Sequence, residues 1–393
     1  MYAINEIVQD AYLRSYNGNE EGNFGALKRD QKALEAGSEW IPIGEFSVLP
    51  MEDESRIVEY QTAHGNHIPY EVLRDTANNA GLMLSYNGTA MCLRDCAMPS
   101  LLNTIGINGD AIRRASKEVL ANGLSIFARC ARKESKLLLR GGKVCAVLSP
   151  HYQTMPISEL LEACSKLEKT FGLLCFRGGS IAHDMTVAEF EFPEKANTFS
   201  KVYAAAKGSY VGDIIPIVQF QSSDTSGAAA TLRTFLKLNG IKVPLGGFRV
   251  THTQKWEGKQ RTTSMSAFVK ELDGVFAKMS YDINKLLPKM LETEINNPGN
   301  TFIGLCRYAG IPQKWGGAIE EDIRNQWDGY SGCTMLDLYE AMAECIYGAL
   351  KEGYQPYSPR VLALEEGIAK VANNPGKWKE FDLPGTVSWS ARK

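Results

Sequence analysis

The sequence predicts an α+β fold, with a central mixed or antiparallel sheet built partly from ββα units, packed helices and a helical C-terminal region. Apolar runs flank Gly141-Gly142, which indicates a hairpin because glycine takes the positive φ values of tight turns. Apolar residues at helical spacing follow in 157–167 and complete a ββα unit. After Pro298-Gly299 the pattern becomes helical.

The chain before this unit alternates between helical and strand-like patterns. Asn87-Gly88 predicts a second hairpin, because Asn-Gly favours two-residue hairpin turns. Periodicity predicts helices at 2–15, 26–36, 70–80, 99–106 and 109–122, and strands at 43–49 and 82–86.

Strand-like patterns dominate from 171 to 250. Arg177-Gly178-Gly179-Ser180 is predicted as a turn, and 185–192 as an alternating strand whose apolar face carries Ala188 and Phe190. Pro216 predicts that the run 213–222 is an edge strand or contains a bulge. Further predictions are a strand that contains His252 and follows from 246–250, helices at 264–287, 301–309, 318–327 and 334–350, and an irregular tail from Pro375.

The 393 residues are enough for two domains or one large domain with appendages. The changes of pattern divide the chain into a mixed N-terminal region at 1–100, a central α+β domain at 101–290, and a helical region with an irregular tail at 291–393.

Composition argues against several classes of protein. The net charge is −2, from 43 Lys and Arg against 45 Asp and Glu. The chain as a whole therefore lacks the basic excess that is typical of nucleic-acid-binding proteins. No apolar run is long enough to span a membrane, and the polar start lacks the pattern of a signal peptide. The nine cysteines, several within apolar runs, indicate free thiols in a reducing compartment. We therefore expect a cytoplasmic protein that makes no membrane contact.

Motifs for catalysis or cofactor binding are each outweighed by a structural interpretation. Gly141-Gly142-Lys143 lacks the first glycine and the final Ser or Thr of a phosphate-binding loop. Three further motifs have a structural alternative, in which the histidines lie at the surface and the thiols in the core. They are a zinc site from His64, His67, Cys92 and Cys96, a nucleophile at Cys145 with His151, and a metal-binding pair at His183-Asp184. The prediction is no catalytic residue, no metal and no cofactor.

Clustered cations are the strongest signal of function. Between Arg113 and Lys143 the acidic residues Glu118 and Glu134 face a large excess of Lys and Arg, and a second cationic set spans 233–261. Basic turns with nearby aromatic rings can bind single-stranded DNA, because cations contact phosphates and rings stack on bases. The alternative is a solvated charged face. The predicted contact residues are Arg129, Arg132, Lys136, Arg140, Lys143, Tyr152, Arg249, Lys255, Trp256 and Arg261.

The order of these motifs resembles the phage/plasmid-like proteins, a mobile-element family whose domain is of unknown function. The resemblance rests on LLRGGKVCAVLSPHYQTMPISELLEA at 138–163, on the segment 215–253 and on TMLDLYEAMAECIYGAL at 334–350. It covers roughly 135–370. It implies a phage or plasmid setting in a bacterial host and supplies no catalytic residue.

Three functions follow as hypotheses. The first is a non-enzymatic protein that binds single-stranded DNA in replication, recombination or DNA protection. The second is an anti-defence protein that inhibits a host immune system through a host or phage protein partner. The third is an enzyme acting on nucleotides or nucleic acid. The sequence leaves a homo-oligomer open.

Overall fold

The α+β fold is confirmed by a computed structural model. The structure describes residues 9–18, 22–51, 68–107, 109, 112, 114–131, 134–152, 154–167, 172–208, 212–225, 229–238, 240–250 and 259–390. The side chains of 206–207, 246–250 and 259–263 are not described.

Strands and helices alternate in the first two thirds of the described chain, and helices fill the last third. The strands are β1 (Leu13–Asn17), β2 (Ser38–Ile43), β3 (Ser47–Pro50), β4 (Leu82–Tyr86), β5 (Thr89–Leu93), β6 (Ser135–Arg140), β7 (Lys143–Leu148), β8 (Cys175–Ala182), β9 (Thr186–Glu191), β10 (Ile214–Ser222), β11 (Ala230–Leu238) and β12 (Ile241–Val250). The α-helices are α1 (Asn23–Ala36), α2 (Tyr70–Asn78), α3 (Met98–Ile105), α4 (Lys117–Cys130), α5 (Ile157–Cys164), α6 (Ala196–Lys207), α7 (Lys259–Glu292), α8 (Pro298–Ala309), α9 (Gln313–Trp327), α10 (Met335–Lys351), α11 (Pro359–Ala372) and α12 (Pro375–Glu380).

The mixed sheet has the strand order β2-β6-β7-β5-β4-β3. Both predicted hairpins, β4–β5 and β6–β7, belong to it, and β5 pairs with β7 in parallel. Helices α3 and α4 cover one face, where Leu124 of α4 packs in one core with Leu137 and Val144. Strands β2 to β5 precede residue 100, where the predicted N-terminal region ends, and strands β6 and β7 follow it.

The antiparallel sheet has the strand order β1-β8-β9-β10-β11-β12. Alternation along β9 and β10 gives the sheet one apolar face, with Ala188, Phe190 and Phe220 in the large core that also holds residues of α1, α5, α6 and α7. The other face carries charged side chains such as Glu189 and Lys242, over which α11 lies. The predicted apolar parity of β9 is confirmed.

The predicted turn at Arg177–Ser180 is wrong, because these residues lie inside β8. The glycines serve close strand packing instead: Gly178 has φ 145° beside a register shift, and a Cβ on Gly179 would lie 2.3 Å from the Val187 carbonyl oxygen. A single sequence does not distinguish a glycine pair that forms a turn from one that allows close packing of strands.

The prediction from Pro216 is also wrong, because β10 lies between β9 and β11 and its pairings show no register shift at this residue. The Pro216 carbonyl accepts from the Phe192 amide, so the nitrogen of Pro216 points to the same side, where β9 has already ended at Glu191. Because proline has no N–H to return this bond to Phe192, the ladder between β9 and β10 ends here, and the proline lies at the last pair rather than inside the ladder.

Five other parts of the chain differ from prediction. Within the predicted helix 2–15, the described part begins β1, and the predicted helix 109–122 gives way to α4, which begins at Lys117 and ends at Cys130. Strand β11 and helix α11 were not predicted. The tail from Pro375 contains the short helix α12.

Candidate functional site

The two cations of the β6–β7 hairpin do not reach solvent. Arg140 is 2% exposed and Lys143 is fully buried. Arg140 donates from Nε to Ser38 Oγ at 2.9 Å, from Nη1 to the His183 carbonyl oxygen at 2.8 Å, and from Nη2 to Asp224. This corrects the expectation of a basic hairpin tip, because the hairpin packs against the antiparallel sheet rather than projecting from the molecule.

Lys143 and Arg94 share the carboxylate of Asp10 beside this contact. Lys143 Nζ pairs with Asp10 Oδ1 at 3.0 Å and with Asp75 Oδ2. Arg94 pairs with Asp10 at 3.4 Å and donates to the carbonyl oxygens of Gln9 and Arg140, both at 3.0 Å. We call Asp10, Asp75, Arg94, Arg140, Lys143 and Asp224 the junction network.

The junction network holds the two sheets together. Asp10 lies just before β1 and Asp224 just after β10, so both belong to the antiparallel sheet's ends, whereas the three cations lie in or beside the mixed sheet. Three cations meet three carboxylates, as burial of charge requires. Burial tends to lower the pKa of Arg140, but the charge of Asp224, the neighbouring Cys145 and the hydrogen bond to Asp224 together raise it. The network therefore serves structure.

His183 reinforces the same junction. Its Nε2 lies 3.0 Å from the Gln9 carbonyl oxygen, its ring centroid lies 5.1 Å from that of Tyr12, and its buried Nδ1 has no hydrogen-bond partner among the described residues. Burial, then the charges of Arg94 and Arg140, lower the pKa of His183 to about 2. The neutral imidazole therefore donates from Nε2 to Gln9.

The predicted cysteine and metal candidates do not form a reactive set among the described residues. Cys145 is buried in β7, with Cys96 Sγ 3.7 Å from its carbonyl oxygen, whereas His151 is exposed. No group of three or more potential metal ligands occurs in the described part of the chain. His64 and His67 lie outside the described residues.

The remaining predicted DNA contacts are scattered. Tyr152 is buried beside Trp40, with ring centroids 5.6 Å apart, and burial raises the pKa of Tyr152. Lys136 lies 5.2 Å above the half-buried Trp40 ring, and the side chain of Arg129 is 68% exposed, 4.0 Å from Glu45. Outside the described side chains lie Arg132, Arg249, Lys255, Trp256 and Arg261.

The second cationic set is also neutralised where it is described. Arg233 pairs with Glu366 at 2.8 Å and Lys237 with Glu191 at 3.5 Å. Lys242 pairs with both Glu189 and Glu365. These pairs lie on the charged face of the antiparallel sheet.

Two buried carboxylates share their partners on this face. Gln219 Nε2 lies 3.0 Å from Glu189 and 3.1 Å from Glu365, and Lys242 contacts the same two carboxylates. Arg177 Nε lies 3.3 Å from Glu189. Burial raises the pKa of Glu365, and Lys242 opposes that effect. The cluster fastens α11 to the sheet.

Helix α4 carries the most unusual surface of the described chain. Ala121, Leu124 and Ala128 face the mixed sheet and are buried. On the opposite side Val119 is 63% exposed and Ile126 61% exposed, one heptad apart and therefore on one line, with Phe127 51% exposed at its side. Asn122 and Cys130 complete this side. We call Val119, Asn122, Ile126, Phe127 and Cys130 the outer face of α4.

The outer face of α4 is absent from the sequence-based predictions because the predicted helix ends at 122. With the correct bounds, which begin at the N-cap Ser116, large apolar residues occur on two opposite sides of the helix, and that pattern is readable from the sequence.

Within the described residues, no helix has the length and apolar character needed to cross a bilayer. Comparisons with protein-family models, with curated proteins and with solved structures find no significant match for this chain.

Proposed function

We propose that this chain is a non-enzymatic interaction protein that binds another protein molecule through the outer face of α4. The observation that carries the proposal is the exposure of Val119, Ile126 and Phe127 on a helix whose opposite side is also apolar. A helix side that carries a stripe of large apolar residues normally packs against another element, and here two opposite sides carry such residues.

Exposure of this apolar face to water is unfavourable. Single exposed apolar side chains are common, but three large ones grouped on one helix form a patch of the kind that marks protein contacts. Burial of such side chains contributes roughly 25 cal/mol per Å² of apolar area. A partner that covers the outer face of α4 would recover this free energy.

The cation pairing supports a protein partner over nucleic acid. Arg140 and Lys143 would have to leave Asp224 and Asp10 before either could reach a phosphate. Breaking buried ion pairs leaves uncompensated charges, which is strongly unfavourable. The resemblance to phage/plasmid-like proteins suggests a mobile-element setting, in which an anti-defence protein is one class that acts by protein contact.

The test compares the size of the complexes formed by the chain and by Ile126→Glu in a lysate of host cells. We expect the parent chain to migrate above its mass of 43.4 kDa and the variant to migrate at that mass. Leu383→Glu is the matched control, because Leu383 is a 55% exposed apolar residue far along the chain from α4. Monomeric migration of the parent chain, both in lysate and when purified at high concentration, would overturn the proposal.

A second candidate, nucleic-acid binding, is favoured by one observation. Lys136 lies over the ring of Trp40 on the edge strand β2, which places a cation and an aromatic ring together at a sheet edge. Fluorescence anisotropy with a single-stranded oligonucleotide should then show salt-dependent binding that Lys136→Ala weakens and Arg29→Ala, an exposed cation on α1, does not. A preparation free of nucleic acid that carries one stoichiometric protein would exclude this candidate.

A further inference from the structure

Two charged residues at opposite ends of α4 indicate which partner fits the outer face of α4. Glu118 is in the first turn and Arg129 in the last, and both are exposed. They are eleven residues apart, which is about three turns, so both lie along the same edge of the outer face.

We propose, as a deepening of the proposed function on which it rests, that the partner is a second copy of this chain, whose α4 packs antiparallel on the first. A twofold axis perpendicular to the two helices places Glu118 of each copy level with Arg129 of the other. Two opposite-charge pairs then form along one edge of the contact. A parallel arrangement has its twofold axis along the helices and places the two charged edges on opposite sides of the contact, so neither opposite-charge pair forms.

The apolar residues fit the same register. When Glu118 is level with the second copy's Arg129, Val119 lies between the second copy's Ile126 and Cys130, as a knob lies in a hole. The same contact repeats on the other side of the axis. The heptad spacing of Val119 and Ile126 therefore gives each copy both a knob and a matching hole.

The middle of the helix allows the close approach that this packing needs. The axis falls beside Gly123, where a Cβ would meet nothing within 4 Å in the free chain. Asn122 lies next to it and is exposed, so its amide can pair with Asn122 of the second copy. A single polar residue of this kind specifies register and orientation in helix pairs.

The competing contact of Arg129 is weak. Glu45 lies 4.0 Å away, and both side chains are about 70% exposed, at 68% and 70%. Exposed pairs of this kind contribute little to stability. Arg129 can therefore exchange Glu45 for Glu118 of the second copy. A pair of fourteen-residue helices buries less than the roughly 1,600 Å² of a standard interface, so we expect reversible association at high concentration.

The experiment is sedimentation velocity of the purified full chain over a wide concentration range. We expect the mass to rise with concentration from 43.4 kDa towards twice that value. Ile126→Glu should weaken association by at least roughly tenfold, because it buries a charge at the apolar contact. Leu383→Glu and Glu45→Gln should leave association unchanged, and circular dichroism should show that every variant is folded.

Charge reversal tests the antiparallel register. Glu118→Arg alone and Arg129→Glu alone should each remain monomeric, because like charges then face each other. An equimolar mixture of the two variants should form a heterodimer. One variant then has cations at both 118 and 129 and the other has anions at both, so opposite charges face each other in both pairs. A parent chain that stays monomeric, a dimer insensitive to Ile126→Glu, or a mixture that does not associate would each overturn self-association. If the parent chain also forms no complex in lysate, the proposed function fails with it; if it does form one there, only the identity of the partner fails.

Discussion

Arg140 of the β6–β7 hairpin donates to Asp224, which follows β10, and so joins the mixed sheet to the antiparallel sheet across 84 residues of sequence. Arg140 is 2% exposed, and its other two side-chain nitrogens, Nε and Nη1, donate to Ser38 and to the His183 carbonyl group. The contact explains how a turn with basic flanks can be part of the interior: the charge is satisfied by the other sheet.

Asp224→Asn should lower the free energy of unfolding by about 3 kcal/mol, because it leaves a buried guanidinium without a counter-charge. Urea unfolding measures the loss. The control is Asp273→Asn, which removes an exposed carboxylate from α7 and should change stability by less than about 0.5 kcal/mol. Equal effects of the two substitutions would show that the Arg140 pair is not important for stability.

Lys242→Met should be far more destabilising than Glu365→Gln. Loss of Lys242 leaves Glu189 and Glu365 facing each other while buried, which should cost about 3–5 kcal/mol. Loss of the Glu365 charge relieves repulsion and keeps a hydrogen-bonding group, so we expect a cost below about 1.5 kcal/mol. Denaturant unfolding of both variants tests the difference, and the reverse order would contradict the assigned pairing.

The stability of the protein should fall in acid partly because of His183. Its folded pKa is about 2, and the ordinary value is 6.5. Between these values the unfolded chain binds a proton that the folded chain does not, so stability is lost as pH falls below 6.5, by at most about 1.4 kcal/mol per pH unit.

His183→Gln removes the titrating group and keeps an amide donor towards Gln9. Unfolding free energies at pH 7 and pH 5 should therefore differ by about 2 kcal/mol less in this variant than in the parent chain. An unchanged pH dependence would show that His183 is not kept neutral by the fold.

Gly179→Ala should destabilise the protein by several kcal/mol, because the new Cβ would lie 2.3 Å from the Val187 carbonyl oxygen and 2.7 Å from Leu27. Gly274→Ala is the matched control in α7, where a Cβ meets nothing within 4 Å and alanine favours the helix by roughly 0.5–1 kcal/mol. Thermal unfolding should shift down for the first variant and up for the second. A stable Gly179→Ala protein would mean that the two strands can separate at no cost.

Local patterns in the sequence were sufficient for the hairpins at Asn87-Gly88 and Gly141-Gly142, and for the two longest helices, α7 and α10, because these depend on residues close in sequence. They were insufficient for Gly178-Gly179 and Pro216. The environment of those residues is set by β9, whose position in the sheet is a tertiary fact.

The same limit applies to the site. Arg140 and Lys143 looked like surface cations because Asp224, Asp10 and Asp75 are distant in sequence. By contrast, the outer face of α4 depends only on residues 117–130, and correct helix bounds would have shown it.

Disulfide cross-linking of Val119→Cys tests the central claim, contact between two copies through the outer face of α4, most directly. In the proposed register residue 119 lies about 3 Å along the helix axis from Cys130 of the second copy, whereas the two Cys130 residues lie about 20 Å apart. Mild oxidation should therefore give a covalent dimer in this variant, no such dimer in the parent chain, and none when Cys130→Ser is added. A parent chain that cross-links through its own Cys130, or a Val119→Cys variant that stays monomeric, would contradict the account.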